Sequence, residues 1–374
     1  MSLIRLGCVA AGWTVLGLPG EALAETAAAL PVETTPVAVV APVAVPAKTV
    51  VSAETAAIRT AALVQAWYLA NDAAGAAHGF VIRRAELIAA GKAAAGKVAW
   101  QIMIDPARVN EAQTKSFTLA GLDPAAPTTL ALIQPTGPIA VLQDVWTSYS
   151  MEYADIRMGQ FKIPVGFEGS RMGTADLIFA ERALASRKYS DRRDIGAQAS
   201  KTFKQFGYVA GIFNGSGQNV VDADSARDGA LRLEAYPVPA LTVAAVAYRT
   251  LNRRDTSAVR DRYELDVRWM ADGVQVLGEV FKGSDIAVAK GKAVDSMGFH
   301  LTGSYLMDGH LEPAVRVSMI QADTAATKQT WQYEGGLNYR FEGSRAVLRA
   351  SYAQLRTDGS PYTQMLTVAG QAGF

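Results

Sequence analysis

The chain has 374 residues, with 36 lysines and arginines against 35 aspartates and glutamates, giving a formal net charge of +1. Half of the residues are hydrophobic, only 19% are charged and 33 are glycine, which is too apolar for a disordered chain. The balanced charge lacks the basic excess a nucleic-acid binder needs. A single Cys and three His exclude disulfide scaffolds and structural zinc clusters. Beyond the first 25 residues, no apolar run is long enough, free of charge and proline, to cross a membrane as a helix.

Residues 1–24 read as a secretory signal. Arg5 supplies the positive start, Leu6 to Leu18 the apolar stretch, Pro19 and Gly20 the break, and Ala22-Leu23-Ala24 the cleavage triplet before Glu25. Cys8 comes only three residues after Arg5, too early for a lipoprotein cysteine. The mature chain would then carry no Cys, which suits an oxidising compartment. Residues 25–56 are rich in Ala, Val and Pro, with Pro31, Pro36, Pro42 and Pro46. Proline removes backbone donors and favours extended conformations, so this segment is expected to be a periplasmic tether. Residues 57–374 are expected to form a single domain.

From about residue 58 the dominant period is two. Val98, Trp100, Ile102 and Ile104 oppose Lys97, Gln101 and Asp105. Tyr263, Leu265, Val267 and Trp269 oppose Arg262, Glu264, Asp266 and Arg268. Met297, Phe299, Leu301 and Tyr305 oppose Ser296, His300, Thr302 and Ser304, and Trp331, Tyr333, Leu337, Tyr339 and Phe341 oppose Gln332, Glu334, Asn338 and Arg340. One greasy and one polar face mean half-buried strands. About sixteen such segments, each of roughly 9 to 13 residues, begin near 58, 79, 96, 140, 154, 193, 207, 228, 241, 261, 273, 295, 311, 330, 345 and 362, the length a membrane-crossing strand needs. No long amphipathic helix is evident.

The connections alternate too. Short ones fall near 91–96, 150–154, 203–206, 237–240, 271–273, 307–310 and 342–344, with turn formers such as Asp272-Gly273 and Asp308-Gly309. Longer ones fall near 106–139, 164–192, 215–227, 251–260 and 283–294. The reading is an all-β protein: a transmembrane antiparallel β-barrel of about 16 strands tilted by about 35 to 45°, with short periplasmic turns and long external loops. Trp67, Tyr68, Trp146, Tyr149, Trp269, Tyr339 and Phe341, near strand ends, are expected to form the interfacial aromatic girdles. The terminal Phe374 ends a strand-like stretch through Leu366, Val368, Gly370 and Ala372. A closing aromatic of this kind is the signal expected to be read by the outer-membrane assembly machinery.

Five motifs occur in order between 79 and 217: Gly79-Phe80-Val81-Ile82-Arg83-Arg84-Ala85-Glu86-Leu87 with Gly91-Lys92, Arg157-Met158-Gly159-Gln160-Phe161-Lys162-Ile163-Pro164-Val165-Gly166, Phe179-Ala180-Glu181-Arg182, Arg193-Asp194-Ile195-Gly196, and Gly211-Ile212-Phe213-Asn214-Gly215-Ser216-Gly217. Together they resemble the phosphate-selective outer-membrane porin family of the O and P type. Further along, only Gly278-Glu279-Val280-Phe281-Lys282-Gly283 fits loosely. The resemblance implies a sixteen-stranded homotrimeric barrel in the outer membrane of a Gram-negative bacterium, with a loop folded into the pore and lumenal Arg and Lys guiding anions such as phosphate.

A passive pore needs a narrow place and charges there that replace lost hydration. Segment 164–192 matches the family's constriction loop. Arg182, Arg187, Lys188, Arg192 and Arg193 lie in or beside it, with only Asp191 against them. Arginine's planar fork holds phosphate oxygens in pairs, and lysine adds a mobile point charge. Lys162 is chosen over Arg157, and Arg84 over Arg83, because strand alternation puts only one of each pair in the lumen. The remaining inward charges are near balance: Arg232, Arg262, Arg268, Arg316, Arg340 and Arg349 against Asp105, Glu234, Glu264, Asp266, Glu312 and Glu334. Such charges pair across strands and stiffen a wall rather than select ions. A non-selective general-diffusion porin therefore stays open, as does a plugged barrel acting as adhesin or enzyme. No Ser–His pairing motif, phosphate loop or metal set is recognisable, so neither catalysis nor a cofactor is expected. The expected partners are small anionic or polar solutes and outer-membrane lipid.

Overall fold

A computed structural model describes residues 58–72, 78–110, 114–119, 128–133, 141–222, 225–252, 258–287 and 293–373. The segments read as signal and tether, and Phe374, lie outside the described residues. The first strands are β1 (Arg59–Asn71), β2 (Gly79–Ala93) and β3 (Val98–Ile104), followed by a short hairpin, β4 (Thr114–Leu119) and β5 (Thr128–Ile133). Then come β6 (Leu142–Ser150), β7 (Asp155–Lys162), β8 (Arg193–Thr202), β9 (Phe206–Phe213), β10 (Asp228–Val238), β11 (Leu241–Thr250) and β12 (Ala258–Ala271). The wall is completed by β13 (Val274–Ala287), β14 (Ala293–Tyr305), β15 (Leu311–Gln321), β16 (Thr330–Arg340), β17 (Val347–Thr357) and β18 (Thr363–Gly373).

Sixteen of these strands form one closed antiparallel barrel, and β4 with β5 stands apart as a two-stranded sheet. Closure is made by β1 against β18, from Leu63 opposite Gly373 to Asn71 opposite Met365. All sixteen expected wall strands are present. The β4–β5 hairpin is the exception, because the stretch 106–139 reads as one loop. Its strands are six residues each, too short to display a period. Strands β12 and β13 also reach further into the loops than the patterning suggests, to Ala258 and Ala287.

Burial follows the alternation but inverts the soluble pattern. Glu264 and Asp266 are buried while Leu265, Val267 and Trp269 are exposed; His300 and Thr302 are buried while Leu301 is exposed. The apolar face belongs to lipid and the polar face to the lumen. On β16, Trp331 stacks with Tyr333 near one end, and Tyr339 meets Phe341 edge-on near the other, as two interfacial girdles require. Trp67 and Trp146 correct the girdle expectation. Trp67 is buried against Ala180 in the lumen, and Trp146 carries the Arg157 guanidinium 4.1 Å above its ring. No helix among the described residues is long and apolar enough to cross a membrane.

The turns use residues that accept positive φ. Asp272 and Gly273 (φ 51° and 78°) join β12 to β13 as a two-residue hairpin. Gly159 is the one wall glycine where both conformation and space decide the identity. Its φ is 131°, and a Cβ there would lie 2.1 Å from the Val145 carbonyl oxygen on β6. Gly159→Ala is therefore expected to lower unfolding stability by about 1–3 kcal/mol, the usual cost of such strain. Urea unfolding in detergent micelles followed by tryptophan emission measures it, and an unchanged midpoint would contradict this reading.

Candidate functional site: the loop across the barrel lumen

The connection from β7 to β8, residues 163–192, folds inward. It carries single helical turns at 167–171 and 174–176 and a short helix α1 (Leu184–Tyr189). Irregular backbone at membrane depth is stable only where protein groups satisfy it, and here the wall does so. Glu264 on β12 accepts the Gly166 N–H, and Glu279 on β13 accepts those of Phe167 and Glu168. Thr174 donates to Glu86 on β2. Arg349 on β17 and Asn338 on β16 donate to the Leu177 and Ile178 carbonyls. Arg316 on β15 donates to the Glu181 carbonyl, while Gln332 and Ser318 accept the N–H groups of Leu184 and Ala185. Ser186 donates to Glu279, whose carboxylate also meets His300 Nε2 at 2.6 Å. Apolar contacts complete the seal: Tyr189 stacks on Phe281 at 5.3 Å, inside a buried cluster with Phe161, Phe213 and Tyr248.

The seven expected pore cations separate into two groups. Arg84 and Arg182 are buried, and their donors go to internal bonds. Arg84 is 2% exposed and donates to Gln65 and Glu181. Arg182 is 3% exposed and donates to the Glu168 and Met172 carbonyls and to Asp191. Arg187 and Arg192 are exposed and Lys188 is half-buried, its ammonium 5.6 Å from the Tyr189 ring. Arg193 pairs with Asp144 at 2.7 Å. Lys162 pairs with Asp191 at 3.3 Å and donates to the Gly169 carbonyl.

Strand alternation misleads at both ambiguous pairs. Between β1 and β2 the register slips, with Gln65 opposite Arg84 but Ala66 opposite Ile82. That bulge re-aims Arg83, so Arg83 and Arg84 both bond Glu181. On β7 the burial stops alternating after Gly159, and Arg157 and Lys162 line one cavity with Trp146 and Gln198. Arg260, Arg171 and Glu279 were missed. Arg260 lies in a stretch read as loop, Arg171 is a lone basic residue beyond the cluster, and only the loose Gly278–Gly283 pattern marks Glu279.

Three cavities run through this region and share residues. The outer one, about 210 Å³, is lined by Arg192, Arg193, Arg260 and Arg262 with Asp191 and Asp194. Arg193 also borders a second of about 280 Å³, with Lys162, Arg171, Asp144 and Glu86. Lys162, Arg171 and Asp144 continue into the third, about 230 Å³, beside Arg157. Most other lumenal charges are neutralised across the wall. Arg232 is fully buried against Asp266 and Glu234, Arg340 pairs with Glu312, and Arg316 with Glu334.

A profile described as phosphate-selective porin O and P matches residues 59–272. The chain belongs to this family. It is thus an outer-membrane channel of a Gram-negative bacterium. No curated protein matches it significantly. Among solved structures, an anion-selective porin from Comamonas acidovorans is similar, at 12% identity and TM-score 0.61, over 85% of this chain and 100% of that one. The outer-membrane channel DcaP of Acinetobacter baumannii gives 12% and 0.60, over 86% and 99%. OmpT of Vibrio cholerae in its trimer form gives 11% and 0.55, over 85% and 99%. At these identities the likeness establishes the fold.

Two loop carboxylates hold the porin's loop by charge. Burial raises the Glu181 carboxyl, but the guanidiniums of Arg84, Arg83 and Arg187 outweigh it and bring it down to about 2. Burial likewise opposes ionisation of Asp191, and Lys162, Arg182 and Arg193 hold it well below the usual range. A depressed carboxyl contributes stability above its ordinary value near 4.5, and loses it as pH falls through about 2. Arg83 and Arg84 also lie 5.5 and 5.8 Å from the Trp67 ring. The Trp67 emission, taken as the difference from Trp67→Phe, should therefore stay constant from neutral pH to below 4 and change near 2. A midpoint near 4.5 would contradict the assigned pairing.

Proposed function

We propose that this channel passes small hydrophilic solutes passively and prefers anions such as phosphate. One observation carries the reading. The three cavities, which share lining residues, are bordered by eight cationic side chains against five acidic ones, although the whole chain is nearly neutral. An anion entering from outside meets Arg192, Arg260 and Arg262, then Arg193 and Lys162, then Arg171 and Arg157. Each guanidinium replaces part of the anion's hydration by paired N–H donors, and successive sites let the ion leave as readily as it enters. Low-dielectric walls concentrate the field of such a series.

A general-diffusion porin is the second reading, supported by the neutralised wall pairs. We further propose that residues 1–24 are an export signal, that 25–56 tether the 57–374 domain, and that the channel works as a homotrimer. Its Phe374 would be read by the assembly machinery, and its outward apolar face would meet lipid.

Bilayer reversal potentials under a salt gradient test the anion preference, with chloride and phosphate compared. The combined variant Arg192→Gln, Arg193→Gln, Arg260→Gln leaves five cavity charges of each sign. Its reversal potential should move from the anion side to near zero while conductance persists. A wild-type potential near zero, or one unmoved in the variant, would favour general diffusion.

A further inference from the structure

One row of the wall departs from the polar character of the lumen. By register, Ala61 on β1 lies opposite Ile88 on β2, Ile88 opposite Met103 on β3, and Met103 opposite Asp144 on β6. Neighbouring strands stand about 4.8 Å apart, so the row runs about 14 Å around the barrel. All four residues border the second cavity, and Leu63 and Met172 border it too. Elsewhere, inward apolar residues seat the loop, as Phe281 does under Tyr189. Leu63 and Met103 are each 6% exposed, yet among the described residues neither joins an apolar cluster that seats the loop. The other end of the row is cationic. Asp144 holds Arg193 through its Nε alone, and among the described residues the two terminal nitrogens of Arg193 have no hydrogen bond. Arg171 spends Nε and Nη2 on Glu234 and keeps Nη1. The Lys162 ammonium, held by the Gly169 carbonyl and Asp191, keeps one of its three donors.

We propose that this cavity binds small carboxylates that carry an apolar body, with benzoate the simplest probe. The inference rests on the anion preference proposed above and names the class of anion. The carboxylate takes the free donors of Arg193, Arg171 and Lys162, a charge-assisted and partly paired arrangement. The body lies along Met103, Ile88 and Ala61, where removing it from water is favourable. The sulfurs of Met103 and Met172 also suit the edge of an aromatic ring. An inorganic anion gains only the contacts at the cationic end. The cavity's remaining charges are Glu86 and Asp176 against Arg345, a negative balance that repels a second carboxylate. The class is therefore monocarboxylates.

Bilayer chloride current at neutral pH, with benzoate or acetate added, tests the site. In the wild type benzoate should block at a concentration about tenfold below that of acetate, the order expected when part of a ring leaves water. Ile88→Thr with Met103→Gln makes the row polar and should bring the two acids within about twofold of each other. The lipid-facing variant Ile102→Thr should behave as wild type. If the double variant does not insert, Ile88→Thr alone, at a half-buried position, should still lower the ratio of acetate to benzoate blocking concentrations. A wild-type channel that prefers anions by reversal potential yet is blocked equally by both acids would overturn this inference alone, as would an unchanged ratio in the Ile88 variants. A wild type without anion preference would overturn the anion reading and this inference with it.

Discussion

A main chain immersed in hydrocarbon finds no water for its N–H and C=O groups, and every feature of this protein answers that constraint. A sheet meets it only by leaving no edge. The pairing of β1 with β18 therefore fixes the architecture: it forces one face of each strand toward lipid and the other toward water. The outward Leu265, Val267 and Leu301 and the inward Glu264, Asp266 and His300 are the two sides of that sorting.

The same constraint returns inside the barrel. The loop between β7 and β8 crosses the lumen without regular secondary structure over most of its length, so its backbone must find partners among wall side chains. Glu279, Arg316, Asn338 and Arg349 serve this purpose. Many lumenal charges are consequently structural. Arg84 and Arg182 look like solute-facing cations by residue type, yet their donors are spent on Glu181, Asp191 and loop carbonyls. The cations left facing the passage are the less buried ones at the loop's exit, with Arg260 and Arg262 opposite them.

The sequence made the wall legible because period two is long and repeated: β12, β14 and β16 could be read residue by residue. The turns were legible for the same reason, since Asp272-Gly273 accepts the positive φ of a tight hairpin. What stayed hidden is where the period fails. The bulge at Arg83 and the break after Gly159 bring two basic residues inward where alternation allows one. A bulge is set by the neighbouring strand's register, which one strand's own residues do not display. Glu279 escaped because a carboxylate facing a lumen is unremarkable in sequence; only the folded loop adds Phe167, Glu168 and Ser186 to its wall partner His300.

Closure itself is the claim on which the rest stands, and a cross-link between the first and last wall strands tests it most directly. Tyr68 and Val368 face each other across β1 and β18 on the outward side. With Cys8 replaced by Ser, Tyr68→Cys with Val368→Cys should form a disulfide in lipid-reconstituted protein and leave channel conductance intact. The shifted pair Tyr68→Cys with Leu366→Cys should form it poorly. Failure of the aligned pair to cross-link in conducting protein would show that these strands are not neighbours, and the closed sixteen-strand wall would have to be abandoned.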